Sequence, residues 1–230
     1  MGGPYGPVGA VVAAAGRGVR MGGVDKVFLP LGERPLIAWP LLALERSLLV
    51  DFVVLVMAPH NLGRARELVR ALGVYKVQEV CPGGERRQDS VRIGLQRLKE
   101  VRWVLVHDGA RPFLTQELIA AALEAAQDTG AAVPALIPAD TVKESQGDLV
   151  VRTLDRSRLR LIQTPQAFRY ELLMEAHLRA RSEATDDASL VEALGHPVRL
   201  FPGSPFNIKV TTPHDLALAR ALLATGEVGP

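Results

Sequence analysis

The run Val8-Gly9-Ala10-Val11-Val12-Ala13-Ala14 passes directly into Ala15-Gly16-Arg17-Gly18-Val19-Arg20-Met21-Gly22-Gly23-Val24-Asp25-Lys26. Seven small or β-branched apolar residues with no polar alternation predict a strand buried on both faces. A glycine-rich segment after such a strand lies where an open α/β sheet binds its ligand. Residues without a Cβ let backbone N–H groups come close to an anion there. Strand-like runs recur at residues 51–57, 76–81, 102–107, 131–138, 198–201 and 207–210. Helical patterns fill the intervals at 36–47, 62–72, 88–99, 116–127, 170–181 and 214–224. Thr115 and Thr212 are suitable N-caps, the latter with Pro213 at the first helical position. Strands alternating with helices of this length predict an α/β domain with a mostly parallel sheet and helices on both faces.

Residues 141–163 break the alternation, with two short β-type runs around Gly147-Asp148 and then an arginine-rich return. This reads as a hairpin. An isolated two-stranded ribbon is marginal in water, so the insertion is expected to pack on something, most economically a second copy of the chain.

Composition excludes several functions. The chain has 230 residues, 48% hydrophobic and 23% charged, with a net charge of +2, as in an ordinary soluble domain. No run reaches the roughly 18–20 apolar residues of a membrane span, and the N-terminus lacks the basic start of a secretory signal. The one cysteine, Cys81, excludes an internal disulfide framework and a multi-cysteine zinc site. A cytoplasmic location is the expectation. The small charge excess is concentrated only at Arg152, Arg156, Arg158 and Arg160, which argues against nucleic acid as the partner.

Five segments carry candidate chemistry. The glycine loop is neither a Walker A loop, since Asp25 precedes Lys26, nor a dinucleotide fingerprint, since position 21 is Met. It reads either as an anion-binding loop ending in Arg20 and Lys26 or as an ordinary turn with surface cations. Val104-Leu105-Val106-His107-Asp108 delivers an acid at a strand end, where it could hold Mg²⁺ or cap the next turn. His107 reads as a packing or hydrogen-bonding residue. Gly83-Gly84-Glu85-Arg86-Arg87-Gln88-Asp89-Ser90 is a second glycine-rich strand-to-helix junction whose amides could read a base edge. In a chain with 22 Arg and five Lys, Lys26 and Lys209 stand out as compact charges suited to a phosphate. Thr185-Asp186-Asp187 reads most simply as a helix N-cap with acids favouring the dipole.

Taken in order, these segments resemble the 2-C-methyl-D-erythritol 4-phosphate cytidylyltransferase family over residues 8–223. The carrying motifs are Ala14-Ala15-Gly16-x-Gly18-x-Arg20-Met21, Gly83-Gly84-x-x-Arg87-x-x-Ser90 and Val106-His107-Asp108-x-Ala110-Arg111-Pro112. They continue with Asp140-Thr141-Val142-Lys143, Asp155-Arg156, Thr164-Pro165-Gln166, Thr185-Asp186 and Asn207-Ile208-Lys209-Val210-Thr211. The resemblance implies a Rossmann-like nucleotidyltransferase fold with a protruding β-arm, and transfer of CMP from CTP to the sugar-alcohol phosphate. It implies that Ala14, Ala15 and Gly16 line the nucleotide site, that Gly84, Glu85 and Ser90 hold cytosine and ribose, and that Arg20 and Lys26 embrace the triphosphate. Asp108 would face ribose and Mg²⁺, while Arg156 and Lys209 would position the acceptor phosphate, with Arg111, Thr164 and Thr185 as further substrate contacts. The family is a homodimer with interlocking arms, so Thr141 and Arg156 would act in the partner's site. The chain departs from the family's usual pattern at Asp25, Val27 and Phe206. The competing readings are a cytidylyltransferase for another acceptor, such as ribitol 5-phosphate, and a catalytically silent nucleotide-binding module.

Overall fold

Residues 8–14 form β1 (Val8–Ala14), and all seven are buried or half-buried because the strand has a neighbour on either side. The computed structural model describes residues 3–16 and 25–228. After β1 come a short ribbon of β2 (Pro30–Leu31) and β3 (Arg34–Pro35), then α1 (Ala38–Arg46), β4 (Phe52–Met57) and α2 (Leu62–Leu72). Next are β5 (Val77–Pro82), α3 (Arg87–Arg97), β6 (Trp103–Asp108), α4 (Gln116–Thr129) and β7 (Ala131–Leu136). The insertion supplies β8 (Lys143–Gln146) and β9 (Leu149–Thr153), and the chain returns through β10 (Leu161–Ile162) and β11 (Gln166–Arg169). It finishes with α5 (Tyr170–Arg179), α6 (Asp187–Ala193), β12 (Arg199–Pro202) and α7 (Pro213–Thr225).

The main sheet has eight strands in the order β10-β7-β11-β6-β1-β4-β5, with β12 also paired to β7. β1 is parallel to β4 and β6, β5 to β4, and β12 to β7. The chain moves from β1 outward to β4 and β5, then crosses back to β6 on the other side of β1. That reversal opens a crevice beyond the carboxyl ends of β1 and β6, the usual ligand position in such sheets. Side chains alternate as a strand requires. Val8, Ala10, Val12 and Ala14 pack with α1, α2 and α4, whereas Val11 packs with α3, α5 and α6 on the opposite face. Thr115 and Thr212 cap α4 and α7 through their side-chain oxygens. No helix among the described residues is long and apolar enough to cross a membrane.

Three features differ from the sequence reading. Residues 207–210 are not a strand: the Asn207 carbonyl accepts from the side chains of Arg111 and Gln163, and Val210 N donates to the Ala110 carbonyl. Side chains and a neighbouring loop thus take the bonds that a ladder would have used. Residues 166–169 form an antiparallel strand wedged between β6 and β7, too short to announce itself by periodicity. The insertion also rejoins the sheet before residue 163, because Leu161 and Ile162 pair with Leu136 and Ala135. β10 and β11 therefore follow one edge of β7, interrupted at residues 163–165. The hairpin itself is present, with every residue of β8 and β9 exposed and Gly147 at φ 57° in its turn.

Packing between α3 and the sheet depends on Gly94. A Cβ there would lie 2.5 Å from Val11 Cγ1 and 2.9 Å from Val56 Cγ2. Helix propensity favours Ala over Gly by about 1 kcal/mol, but overpacking a close contact of this kind costs about 1–3 kcal/mol. Gly94→Ala is therefore expected to lower stability in urea unfolding; an unchanged or raised midpoint would refute the close-packing argument.

Candidate active site

The crevice holds two clefts. The first is lined by Ala14, Ala15 and Gly16 after β1, by Lys26, by Gly84, Glu85, Arg87 and Ser90 around the start of α3, and by Asp108 and Lys209. Strand ends deliver Ala14 and Asp108, loops, turns and the start of α3 deliver the others, and local contacts hold them. At Gly83 an added Cβ would lie 2.3 Å from the Ala15 Cβ and 2.7 Å from Ser90 Oγ, so the two loops abut and only glycine fits. Ser90 Oγ accepts from Gly84 N at 3.2 Å and donates to the Arg86 carbonyl at 3.1 Å, so this hydroxyl ties the loop to the helix. Lys26 opens a 3₁₀ turn whose Val27 and Phe28 are buried. The Arg64 guanidinium lies 4.1 Å from the Phe28 ring centroid, and Asp25 Oδ1 lies 3.2 Å from His60 Nε2, which anchors both ends of that turn. Asp25 and Val27, two of the departures from the family pattern, thus make contacts of their own.

The second cleft is lined by Arg111, Gln163, Thr164, Gln166 and Thr185, and it shares Arg87, Asp108 and Lys209 with the first. Those three residues form the seam. Asp108 Oδ2 pairs with Lys209 Nζ at 2.7 Å, and its Oδ1 accepts from Arg87 Nε at 3.0 Å. Arg111 Nε stands 3.9 Å from Oδ2 and has no hydrogen-bond partner among the described residues. Arg87 also donates through Nη1 to Asp187 Oδ2 at 2.7 Å, and His177 Nε2 lies 3.1 Å from the other oxygen of Asp187. Burial alone would raise the Asp108 carboxyl, but Arg87, Lys209 and Arg111 hold it far below the usual carboxylate range. Asp187 follows the same logic, with burial outweighed by Arg87 and then His177. Burial lowers Arg111, only partly offset by Asp108, whereas the two carboxylates overcome burial and raise Arg87. Three cations face two carboxylates. Within this ion-paired cluster the cations are in excess, and Asp186 and Glu192 also line the second cleft.

An uncharged framework lies beneath the seam. Asp108 N donates to Thr164 Oγ1 at 3.0 Å, Thr164 Oγ1 lies 3.1 Å from His107 Nδ1, and His107 Nε2 lies 3.0 Å from the Arg111 carbonyl. A carbonyl only accepts, so Nε2 carries the hydrogen and the neutral ring takes the Thr164 hydroxyl hydrogen on Nδ1. Asn207 Nδ2 donates to the Thr164 carbonyl at 2.7 Å, and the Asn207 carbonyl accepts from Arg111 Nη1 at 2.7 Å. The break between β10 and β11 thereby places Thr164 against the end of β6.

Of the residues expected from sequence, Ala14, Ala15, Gly16, Lys26, Gly84, Glu85, Ser90, Asp108 and Lys209 line the first cleft. Arg111, Thr164 and Thr185 line the second. Arg20 lies outside the described residues. Thr141 and Arg156 are exposed at the insertion and line neither cleft of their own chain; Arg156 Nη1 bonds the Ala139 carbonyl. The sequence reading assigned no role at the site to Asp187, His177 or Asn207. Asp186, rather than Thr185, caps α6 by accepting from Ser189 N, and Asp187 is buried against Arg87. An acid pair in a cap motif could have signalled this only through its second member, which a simple cap does not need. Cys81 is buried, and burial pushes its thiol up, consistent with an inert strand-end residue.

The framework beneath the seam carries a pH signature. Burial pushes His107 down to about 4 from 6.5. A histidine kept neutral in the fold contributes fully above its unfolded value and loses that contribution as pH falls from about 6.5 towards 4, by up to about 1.4 kcal/mol per pH unit. Urea unfolding between pH 7 and 4.5 is expected to show this decline, and His107→Gln to reduce its slope; equal slopes in the two proteins would refute the assignment.

A family model described as IspD, 2-C-methyl-D-erythritol 4-phosphate cytidylyltransferase, matches residues 8–225. The chain is 49% identical to the 2-C-methyl-D-erythritol 4-phosphate cytidylyltransferase of Dehalococcoides mccartyi strain CBDB1, covering 95% of this chain and 97% of that one. It is 47% identical to that of Geobacillus kaustophilus, over 94% and 96% of the two chains. The crystal structure of 2-C-methyl-D-erythritol 4-phosphate cytidylyltransferase from Thermus thermophilus superposes with a TM-score of 0.78 at 41% identity, covering 94% of this chain and 98% of that one. The strands, the two-cleft crevice and these likenesses agree, and the chain belongs to the 2-C-methyl-D-erythritol 4-phosphate cytidylyltransferase family.

Proposed function

We propose that the two clefts are the two halves of one transfer site, the first for CTP and the second for the acceptor phosphate. The chain is a nucleotidyltransferase that moves CMP from CTP to 2-C-methyl-D-erythritol 4-phosphate and releases pyrophosphate. The comparisons do not favour another sugar-alcohol phosphate or a silent binding module. The observation that carries the site assignment is the seam: Arg87, Asp108 and Lys209 belong to both clefts.

In the reaction, an oxygen of the acceptor phosphate attacks the α-phosphorus of CTP, and the bond to the β-phosphate oxygen breaks as pyrophosphate leaves. A phosphomonoester has its second pKa near about 6, so the nucleophile is already largely dianionic at neutral pH. No general base is required. His107 is engaged at both nitrogens and held neutral, which fits a positioning role. The obstacle is the mutual repulsion of two polyanions. Lys26 and Arg20 bind the triphosphate, while Lys209 and Arg111 hold the acceptor phosphate at the seam. Together they supply orientation and electrostatic stabilisation. Ala14, Ala15 and Gly16 give the nucleotide close access to the backbone, and Gly84, Glu85 and Ser90 face the base and ribose. Thr164 and Thr185 line the acceptor side.

Mg²⁺ fits this donor set as an ion arriving with the triphosphate. Among the described residues no group of three or more His, Cys, Asp or Glu side chains could cage a metal. Asp108 is the carboxylate at the seam, and magnesium commonly takes one or two carboxylates together with phosphate oxygens and water. When bound there it would neutralise phosphate charge.

The working unit in this reading is a homodimer located in the cytoplasm, with neither nucleic acid nor membrane as partner. The exposed arm supports the dimer: Leu149, Val150 and Val151 are 76%, 61% and 55% exposed, an apolar stretch that a second copy would cover. Thr141 and Arg156 then act in the partner's acceptor cleft.

Lys26→Ala and Arg20→Ala are each expected to reduce turnover roughly 10²–10³-fold, by analogy with loss of single charge-stabilising donors, with little change in melting temperature. Near-normal pyrophosphate release would remove these roles. Mixing inactive Arg156→Ala protomers with inactive Lys26→Ala protomers is expected to restore partial turnover, since one site of each mixed dimer would be intact. No recovery in verified mixed dimers would place Arg156 in its own chain's site.

A further inference from the structure

Arg87, in the first turn of α3, does not give both arms of its guanidinium to one acid. Nε donates to Asp108 Oδ1 at 3.0 Å and Nη1 to Asp187 Oδ2 at 2.7 Å. Asp187 opens α6, is 1% exposed, and meets His177 Nε2 of α5 at 3.1 Å through its remaining oxygen. His177 is itself buried. A guanidinium beside a single carboxylate favours a bidentate fork. Completed on Asp108 through Nε and Nη2, such a fork would engage Oδ1 and Oδ2 together, and Oδ2 is the oxygen that holds Lys209 Nζ at 2.7 Å. Asp187 instead pins Nη1, on the other side of the guanidinium, and so fixes its plane with Nε directed at Oδ1, short of the rotation that would bring Nη2 onto Oδ2. His177 keeps Asp187 from turning to follow the arginine.

We propose that Asp187, oriented by His177, is a positioning residue for the transfer reaction: by dividing Arg87 between two carboxylates it reserves Asp108 Oδ2 for Lys209 and fixes that ammonium at the seam. The network joins α5 and α6, on the sheet face remote from the 3₁₀ turn of Lys26, to the acceptor side of the site. This inference rests on the role given to Lys209 above, and the test separates the two.

The test is a double-mutant cycle between Asp187→Asn and Lys209→Ala, read as kcat and as KM for each substrate in the intact full-length protein. Asp187→Asn is expected to lower kcat about 10- to 100-fold, as displaced positioning groups do, with KM for CTP nearly unchanged. In the Lys209→Ala background the same substitution is expected to cost under about twofold, since contacting residues couple rather than add. A purely structural role would give the full loss in both backgrounds and would overturn the inference. If Asp187→Asn does not fold, His177→Phe carries the same cycle: it removes the donor to Asp187 but keeps a ring, and the expected loss is about 3- to 10-fold, again confined to the background that retains Lys209. Wild-type turnover in Lys209→Ala would overturn both the role of Lys209 and this inference. A defective Lys209→Ala with additive losses would overturn this inference alone.

Discussion

A single carboxylate at the end of a central strand governs the organisation of this site. Asp108 is 6% exposed, and a buried, unpaired carboxylate would cost several kcal/mol. Its charge is retained because Arg87, Lys209 and Arg111 converge on it. These cations come from the start of α3, from the segment before α7 and from the turn just after β6. The acid therefore draws together parts of the chain more than a hundred residues apart in sequence. Because the cations outnumber the carboxylates they meet, the cluster offsets its own burial cost and keeps a positive excess.

The support for this cluster is of two kinds. On one side, His107, Thr164 and Asn207 form a neutral hydrogen-bonded framework, in which Asn207 Oδ1 has no partner among the described residues. On the other side, Asp187 and His177 reach Arg87 through charge. The neutral framework sets the direction of the strand end, and the charged one sets how the arginine is shared. The arm takes no part in either. Its strands are exposed along their whole length.

Much of this architecture was legible in the residues. The apolar run at 8–14, its successors and the intervening helical periodicities specified a parallel sheet, because burial on both faces leaves a distinctive uninterrupted pattern. Lys26, Asp108 and Lys209 could be singled out because each follows a strand or stands out in an arginine-rich chain. Residues 207–210 were misread as a strand, since Ile208 and Val210 have the right composition while their hydrogen bonds go elsewhere. The four residues of β11 and the partnership of Arg87, Asp187 and His177 depend on long-range pairing, and local pattern carries no information about which distant side chain an arginine will meet.

The contact at Gly83 has a consequence for how such sites diversify. The loop after β1 and the loop before α3 touch so closely that a methyl group added at Gly83 would collide with Ala15. Neither loop is a module that can be transplanted by itself. A change that adds bulk to either loop at this contact must be answered in the other, so two separated stretches of the sequence vary as one unit here.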